Sequence, residues 1–345
     1  MDRIEYAAIA LSGDLTVEQM RILCEEGYSS TSIMFSEAPL NPVALKRIRR
    51  TFAETVKVLS SHATFLVYKD EEYPDNLRNL YDPPPVIFYH GDKEMLKNES
   101  MLAVVGSRKA DGYGLRVARD FSRSLSASKV AIVSGLAVGI DAQAHEGALE
   151  AGGVTIGVQG TGIDIAYPAS NRTLIDKVRT SGCIVSEFLP GTPPLKQNFP
   201  RRNRIIAGLS KAVFVVQAGL RSGSLITARL ALENGRDVFA LPGDIYRENS
   251  RGTNWLLKNG AKLITEYEDI LEEFPWLARE ERRESENRKI DSPVYRCLGN
   301  GPMTFGEILL ASGKSSNELM VELTQLQLEG HVYEENGRWS RSCNL

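Results

Sequence analysis

The sequence predicts an α/β protein: a Rossmann-like, doubly wound parallel sheet flanked by a small N-terminal helical domain and a C-terminal winged-helix-like domain. Three observations carry this. From residue 101 onward, short runs rich in Val and Ile alternate with amphipathic stretches, the order expected of strand-helix-strand units. The runs are continuously apolar rather than alternating, as in strands buried on both faces. Proline clusters before this region and a charge-dense stretch after it separate it from its flanks.

Residues 1–70 read as short helices of helix-hairpin (SAM-like) type at 4–11, 16–26 and 42–59, with a break at Gly13-Asp14 and Pro42 near a helix start. Tyr73-Pro74 and the run Pro83-Pro84-Pro85 then impose extended chain leading into 86–89. Strands follow at 102–105, 130–133, 154–158, 183–185, 212–216 and 238–241, separated by helices at 113–126, 140–151, 171–180, 202–209 and 224–234, and a further helix is read at 254–260 after the last strand. The α/β domain is therefore assigned to 71–275. Residues 278–289 are charge-dense and nearly free of apolar anchors, so 276–289 reads as a linker. Residues 290–345 read as a winged-helix-like domain, with helices near 294–298, 304–311 and 316–329, then a hairpin turning at Asn336-Gly337 between Val332-Tyr333 and Trp339.

With 345 residues, 42% hydrophobic and 25% charged, the chain is long enough for two or three domains and a sizeable core. A net charge of -3 argues against a protein that coats nucleic acid with its whole surface. The four cysteines (Cys24, Cys183, Cys297, Cys343) are far apart and form no CxxC pair, so neither a disulfide framework nor a zinc site is expected. The absence of a long apolar run and of a signal-peptide pattern at 1–10 points to a cytoplasmic protein without membrane insertion.

Charge is nevertheless uneven. Between Glu187 and Glu233 there are seven basic residues (Lys196, Arg201, Arg202, Arg204, Lys211, Arg221, Arg229) and no acid. In the centre, Phe199 stands beside Arg201, Arg202, Asn203 and Arg204. Guanidinium forks take phosphate oxygens bidentately and an aromatic ring stacks on bases, a combination that favours single-stranded nucleic acid; the competing reading is a solvated basic helix face.

Ligands of doubly wound sheets bind beyond the carboxyl ends of the strands. There the sequence offers Gly106-Ser107-Arg108, then Ser134-Gly135 with Gly139 and Asp141 opening a helix, and the small-residue loop Arg221-Ser222-Gly223-Ser224, whose free N–H groups form a candidate anion nest. Each loop also satisfies ordinary strand-to-helix turn chemistry. The candidate DNA-binding set is Ser107, Arg108, Gly135, Lys196, Phe199, Arg201, Arg202, Asn203, Arg204, Arg221, Ser222, Gly223 and Ser224.

Enzyme motifs fail. Gly160-Thr161-Gly162 lacks the third glycine of a dinucleotide fingerprint, since Ile165 holds its place. Gly313-Lys314-Ser315 ends like a P-loop, but Ile308 stands where its first glycine belongs. His145-Glu146 begins a zincin motif that Leu149 breaks. No catalytic residue, metal site or cofactor is expected. The helix at 316–329 carries Glu318, Glu322 and Glu329 and no Lys or Arg, which disfavours duplex readout and favours protein contact or structural support.

Taken in order, Tyr73-Pro74, Val105-Gly106-Ser107-Arg108, Ser134-Gly135-Leu136-Ala137 with Gly139-Ile140-Asp141, Tyr167-Pro168 with Asn171, Ser186-Glu187, Phe199-Pro200-Arg201-Arg202-Asn203-Arg204, Arg221-Ser222-Gly223-Ser224 and Pro242-Gly243 make the chain resemble the DNA processing protein A (Smf) family. The resemblance implies a single-stranded-DNA-binding Rossmann-like domain in a homodimeric recombination mediator. Such a protein protects incoming DNA during natural transformation and helps load a RecA-type recombinase. It also implies that Arg108 and the 196–204 region line the DNA pocket, with Phe199 stacking on a base. Gln217 departs from the acid expected there. The alternative is a nucleotide-processing enzyme of the lysine-decarboxylase-like (phosphoribohydrolase) type, which shares the fold class but calls for a Pro-Gly-Gly loop and a catalytic Glu. Here the loop reads Arg221-Ser222-Gly223-Ser224, with no acid before Glu233.

Overall fold

The computed structural model describes residues 1–35, 38–61, 64–274, 292–298, 301–328, 331–335 and 337–341. The expected linker at 276–289 and the turn residue Asn336 lie outside them. The chain divides into two compact units, residues 1–277 and 278–345.

The first unit opens with four helices: α1 (Arg3–Gly13), α2 (Val17–Glu25), α3 (Ser30–Met34) and α4 (Pro42–Ser61). Sequence dictates their starts. Asp2 with Glu5 and Thr16 with Gln19 form reciprocal capping boxes, satisfying N–H groups that the first turn leaves without partners. Apolar faces of α1 and α4 meet over Ile9, Ile48 and Leu59, all withdrawn from water.

A nine-stranded sheet follows among the described residues: β1 (Phe65–Val67), β2 (Val86–Gly91), β3 (Met101–Val105), β4 (Ala131–Ser134), β5 (Thr155–Val158), β6 (Cys183–Ser186), β7 (Ala212–Val215), β8 (Asp237–Ala240) and β9 (Lys262–Leu263). Its order is β1-β2-β6-β5-β4-β3-β7-β8-β9. The run from β6 to β9 is parallel, as expected of its continuously apolar strands. The expected parallel sheet is extended by two antiparallel strands at one edge, since β2 pairs antiparallel with both β1 and β6. The Pro-rich segment between β1 and β2 carries only the one-turn α5 (Asp75–Arg78), not the crossover helix that usually joins parallel neighbours. Strand β1 lies within the stretch read as helical; three buried residues are too few to show a period.

The helices on the sheet are α6 (Gly112–Ala127), α7 (Ile140–Glu150), α8 (Arg172–Ser181), α9 (Asn198–Leu209), α10 (Gly223–Glu233), α11 (Glu248–Lys258) and the short α12 (Glu268–Leu271). Two of them begin earlier than the sequence pattern suggests. Helix α9 runs through Pro200, because a proline in the first turn has no intrahelical N–H bond to lose. Helix α11 starts six residues before the expected Asn254.

The second unit holds α13 (Pro293–Cys297), α14 (Phe305–Ser312) and α15 (Ser316–Leu328), with β10 (Met303–Thr304), β11 (Val332–Glu335) and β12 (Arg338–Arg341) in a sheet ordered β10-β12-β11. Leu319, Leu323 and Leu326 of α15 face its core with Trp339, as their spacing predicts. Glu322 is engaged by Lys314 at 2.8 Å and by the Ser292 hydroxyl at 2.8 Å.

Candidate nucleic-acid interface

From β3 the chain builds β4, β5 and β6 outward in one direction, then returns so that β7 pairs with the free side of β3. Loops leaving β3 and β7 therefore diverge to opposite faces and open a crevice at their carboxyl ends. A cavity of about 760 Å³ occupies this place. Its walls are Gly106 to Lys109 after β3, Ala137 and Asp141 after β4, Phe199, Arg202 and Asn203 on α9, Gly219 to Ser224 leading into α10, and Glu248, Asn249 and Arg251 on α11.

Hydrogen bonds fix the loop after β3 from three directions. The Ser107 N–H donates to the Gln217 carbonyl at 2.7 Å, and the Ser107 carbonyl accepts from Ile140 N–H at 3.3 Å. Asn249 closes the third side, donating from Nδ2 to the Lys109 carbonyl at 2.7 Å. Gly139 is obligatory in this arrangement: its φ is +86°, and a Cβ there would run into the Ser107 carbonyl oxygen. Arg108 and Lys109 thus project from a rigid base, and Arg108 rests its guanidinium 5.6 Å from the centre of the Phe199 ring.

Across the cavity, α10 begins at Gly223 with its first N–H groups uncommitted to the helix. The Ser222 and Ser224 hydroxyls lie 2.7 Å apart at this end, and Arg221 is exposed beside them. Positive helix-end dipole, two hydroxyls and a cation form an anion nest of the kind the sequence pattern implies.

The floor is Arg202. Its Nη1 donates to the carbonyls of Gly135, at 2.9 Å, and Val158, and its Nε to Asn203 Oδ1 at 3.2 Å. Burial lowers this guanidinium to about 10, so it keeps its charge at neutral pH. Burial pushes the neighbouring Asp141 carboxyl up, opposed by the Arg202 charge and by the Ala137 N–H at 3.4 Å. Gly135 contributes by lacking a side chain, since a Cβ would come within 2.7 Å of Arg202 Nη2.

The structure therefore brings together Ser107, Arg108, Phe199, Arg202, Asn203, Arg221, Ser222, Gly223 and Ser224, with Gly135 beneath them. It places three other residues of the set away from the cavity. Arg204 Nη2 lies 2.5 Å from Glu187 Oε2, and Arg201 Nε lies 3.0 Å from the same oxygen. Arg201 also reaches Asp14 Oδ1 at 2.8 Å; burial weakens its charge, but Glu187 and Asp14 outweigh that and hold its pKa up. Helix α9 turns these two side chains away from the cavity toward carboxylates supplied by β6 and by the end of α1. Lys196 is exposed, but it precedes α9 and does not line the cavity.

Sequence reasoning missed Lys109, Asn249 and Arg251. The polar run Arg247 to Arg251 is the available signal, and starting α11 at Asn254 hides it. Glu248 moderates this wall, pairing with Arg251 at 3.2 Å. Among the described residues no carboxylate forms an ion pair with Arg108, Lys109 or Arg221, although the Arg108 charge reaches Asp141, and no group of His, Cys, Asp and Glu there could hold a metal ion.

Residues 64–275 match the family model described as DNA recombination-mediator protein A. The chain belongs to the DNA recombination-mediator protein A family. It is 42% identical over 295 residues to Protein Smf of Escherichia coli K12, spanning 81% of this chain and 79% of that one. The X-ray structure of DNA processing protein A from Streptococcus pneumoniae, 38% identical, superposes with a TM-score of 0.70 over 79% of this chain and 98% of the other. A structure of DNA processing protein A from Helicobacter pylori, solved for its single-stranded-DNA binding mode, is 32% identical and covers 61% of this chain and 95% of its own, with a TM-score of 0.56. Membership in a recombination-mediator family favours the mediator over the nucleotide-processing enzyme. The family match includes every element that walls the cavity.

Proposed function

We propose that this recombination mediator binds single-stranded DNA in the crevice between β3 and β7, holding the strand without transforming it. The observation that carries the reading is a set of cations in no ion pair with a carboxylate among the described residues: Arg108 and Lys109 face the N-terminus of α10 across a cavity wide enough for a nucleotide, and Arg221 stands beside that N-terminus. Phosphates lie between these side chains and the Ser222 to Ser224 nest, while Arg202 supplies a fixed charge from below. The Helicobacter pylori relative's single-stranded-DNA binding supports the same ligand here.

The wider role is that of a cytoplasmic homodimer that protects incoming strands and hands them to a RecA-type recombinase. Among the described residues no helix is long and apolar enough to cross a membrane. The proposed division of labour assigns strand binding to residues 71–275, support to the helical residues 1–70, tethering to 276–289, and protein contact to 290–345, whose α15 carries Glu318 and Glu322 and no basic residue.

Binding of a fluorescent oligothymidylate and of a duplex, measured at several salt concentrations, tests this. Removing one cation that neutralises a phosphate lowers the slope of log affinity against log salt by about 0.7 for single strands. Arg108→Ala and Arg221→Ala are expected to weaken binding and flatten the slope by about that amount each. Unchanged affinity and slope in both variants would remove the crevice from consideration.

A further inference from the structure

The ring expected to stack on DNA lines the cavity as part of a larger group. Phe199 carries the Arg108 guanidinium 5.6 Å from its centre, and the Tyr167 ring packs against it at 5.5 Å with the planes tilted by 42°. Of the two rings Tyr167 is the one that faces water, with 38% of its surface exposed. An aromatic ring left in water at the rim of a cationic cavity is a surface on which a base can lie.

The loop that presents Tyr167 is pinned on both sides. Before it, the Ile165 carbonyl accepts from Gln159 Nε2 and from Thr161 Oγ1, each at 3.0 Å. After it, Asn171 Nδ2 donates to the Leu136 carbonyl at 3.0 Å, tying the loop after β5 to the loop after β4. A ring held in this way loses little freedom on contact, so stacking on it carries a small entropic cost. Two exposed cations flank the group in sequence: Lys196, three residues before Phe199, and Arg172, five after Tyr167. Neither has an acidic partner among the described residues.

We propose that Tyr167 is a second stacking station for single-stranded DNA. The strand leaving the crevice lays its next base on the Tyr167 ring, with Lys196 as a phosphate contact on this outer segment. This rests on the crevice reading and extends it. The cavity holds the first nucleotides, and the Tyr167 rim sets how many more the protein covers. It gives Lys196, which lies outside the cavity, a role as part of the exit path.

The test compares a short oligothymidylate of roughly four nucleotides, about the smallest site seen for a single-strand-binding fold, with one of about three times that length. Tyr167→Ala is expected to weaken the long oligomer roughly fivefold or more, the loss typical of one stacked base, and to leave the short one and the salt slope unchanged. Tyr167→Phe keeps the ring and is expected to bind both as the parent does. In parallel, an oligomer carrying 5-iododeoxyuridine is irradiated on the full-length protein, and the cross-linked peptide is expected to contain Tyr167. The proposal is overturned if Tyr167→Ala binds the long oligomer normally and no cross-link reaches that peptide while Arg108→Ala still weakens binding; the crevice reading then stands alone. It is overturned too if Tyr167→Ala weakens both lengths equally with a lowered melting temperature, which marks a structural role. If the parent binds neither oligomer, the crevice reading fails and this one with it.

Discussion

Glu187 and Arg204 meet at 2.5 Å with 2% and 11% of their side chains exposed, a buried ion pair that joins the end of β6 to the middle of α9. Arg201 adds a third, half-exposed member from the preceding turn of the helix. The pair holds α9 in place and thereby sets the position of Arg202 and Asn203, which face the cavity from the same helix.

Breaking a buried pair typically costs about 3–5 kcal/mol, and since Arg201 stays on Glu187 when Arg204 is removed, the lower end, about 3 kcal/mol, applies here. Arg204→Ala is expected to destabilise the first unit by that order, read as a lower midpoint in urea. A variant as stable as the parent would show that α9 is held by packing alone.

Arg201 and Arg221 are both arginines of the same acid-free stretch, yet their surroundings assign them opposite work. Arg221→Ala is expected to flatten the salt dependence of oligonucleotide binding by about 0.7, the value of one single-strand phosphate contact. Arg201→Ala is expected to leave that slope as it is and to cost at most about 1 kcal/mol of stability, since its pairs with Asp14 and Glu187 are partly exposed. Equal slopes for the two variants would mean that Arg201 leaves its carboxylates to bind DNA.

Gly139→Ala forces a side chain into left-handed backbone, at about 1–3 kcal/mol, and against the Ser107 carbonyl. The expected result is a lowered melting temperature together with weakened oligonucleotide binding, because the obstructed carbonyl belongs to the loop that carries Arg108. Loss of stability without loss of affinity would separate that loop from binding.

His145 is wholly buried on α7 with its Nδ1 2.7 Å from Thr155 Oγ1. Thr155 gives its own proton to the Ile132 carbonyl, so the imidazole Nδ1 is the donor and the ring is neutral. Burial lowers its pKa from 6.5 to about 3. The unfolded chain then binds a proton that the folded one refuses. Its contribution to stability is complete above pH 6.5 and is lost progressively as pH falls toward 3. His145→Asn is expected to reduce the acid sensitivity of denaturant midpoints across that window, and an unchanged pH profile would assign the sensitivity elsewhere.

Much of this was legible in the sequence because it is local. The strand runs, the glycines after β3 and β4 and the nest at Ser222 to Ser224 each announce themselves within a few residues. What was not legible is direction. Arg201, Arg202 and Arg204 look alike in a one-dimensional charge count, but a helix advances about 100° per residue, so the three point to different neighbours. One forms a cavity floor, and two meet carboxylates whose approach depends on the sheet order and on the docking of α1. Asn249 and Arg251 were missed for a similar reason, since their loop is brought to the crevice by strand pairing that no short window reveals. Phe199 lines the cavity that its motif pointed to, but its contact with Tyr167 joins positions more than thirty residues apart.

The crevice takes its walls from residues 105 to 251, gathered only when β7 docks beside β3. No fragment ending before α11 contains a whole site, so ligand affinity reports on assembly of the entire sheet. In a nascent chain these walls are complete only once about three quarters of its length has emerged. By mass action, each captured strand in turn secures the complete domain against unfolding.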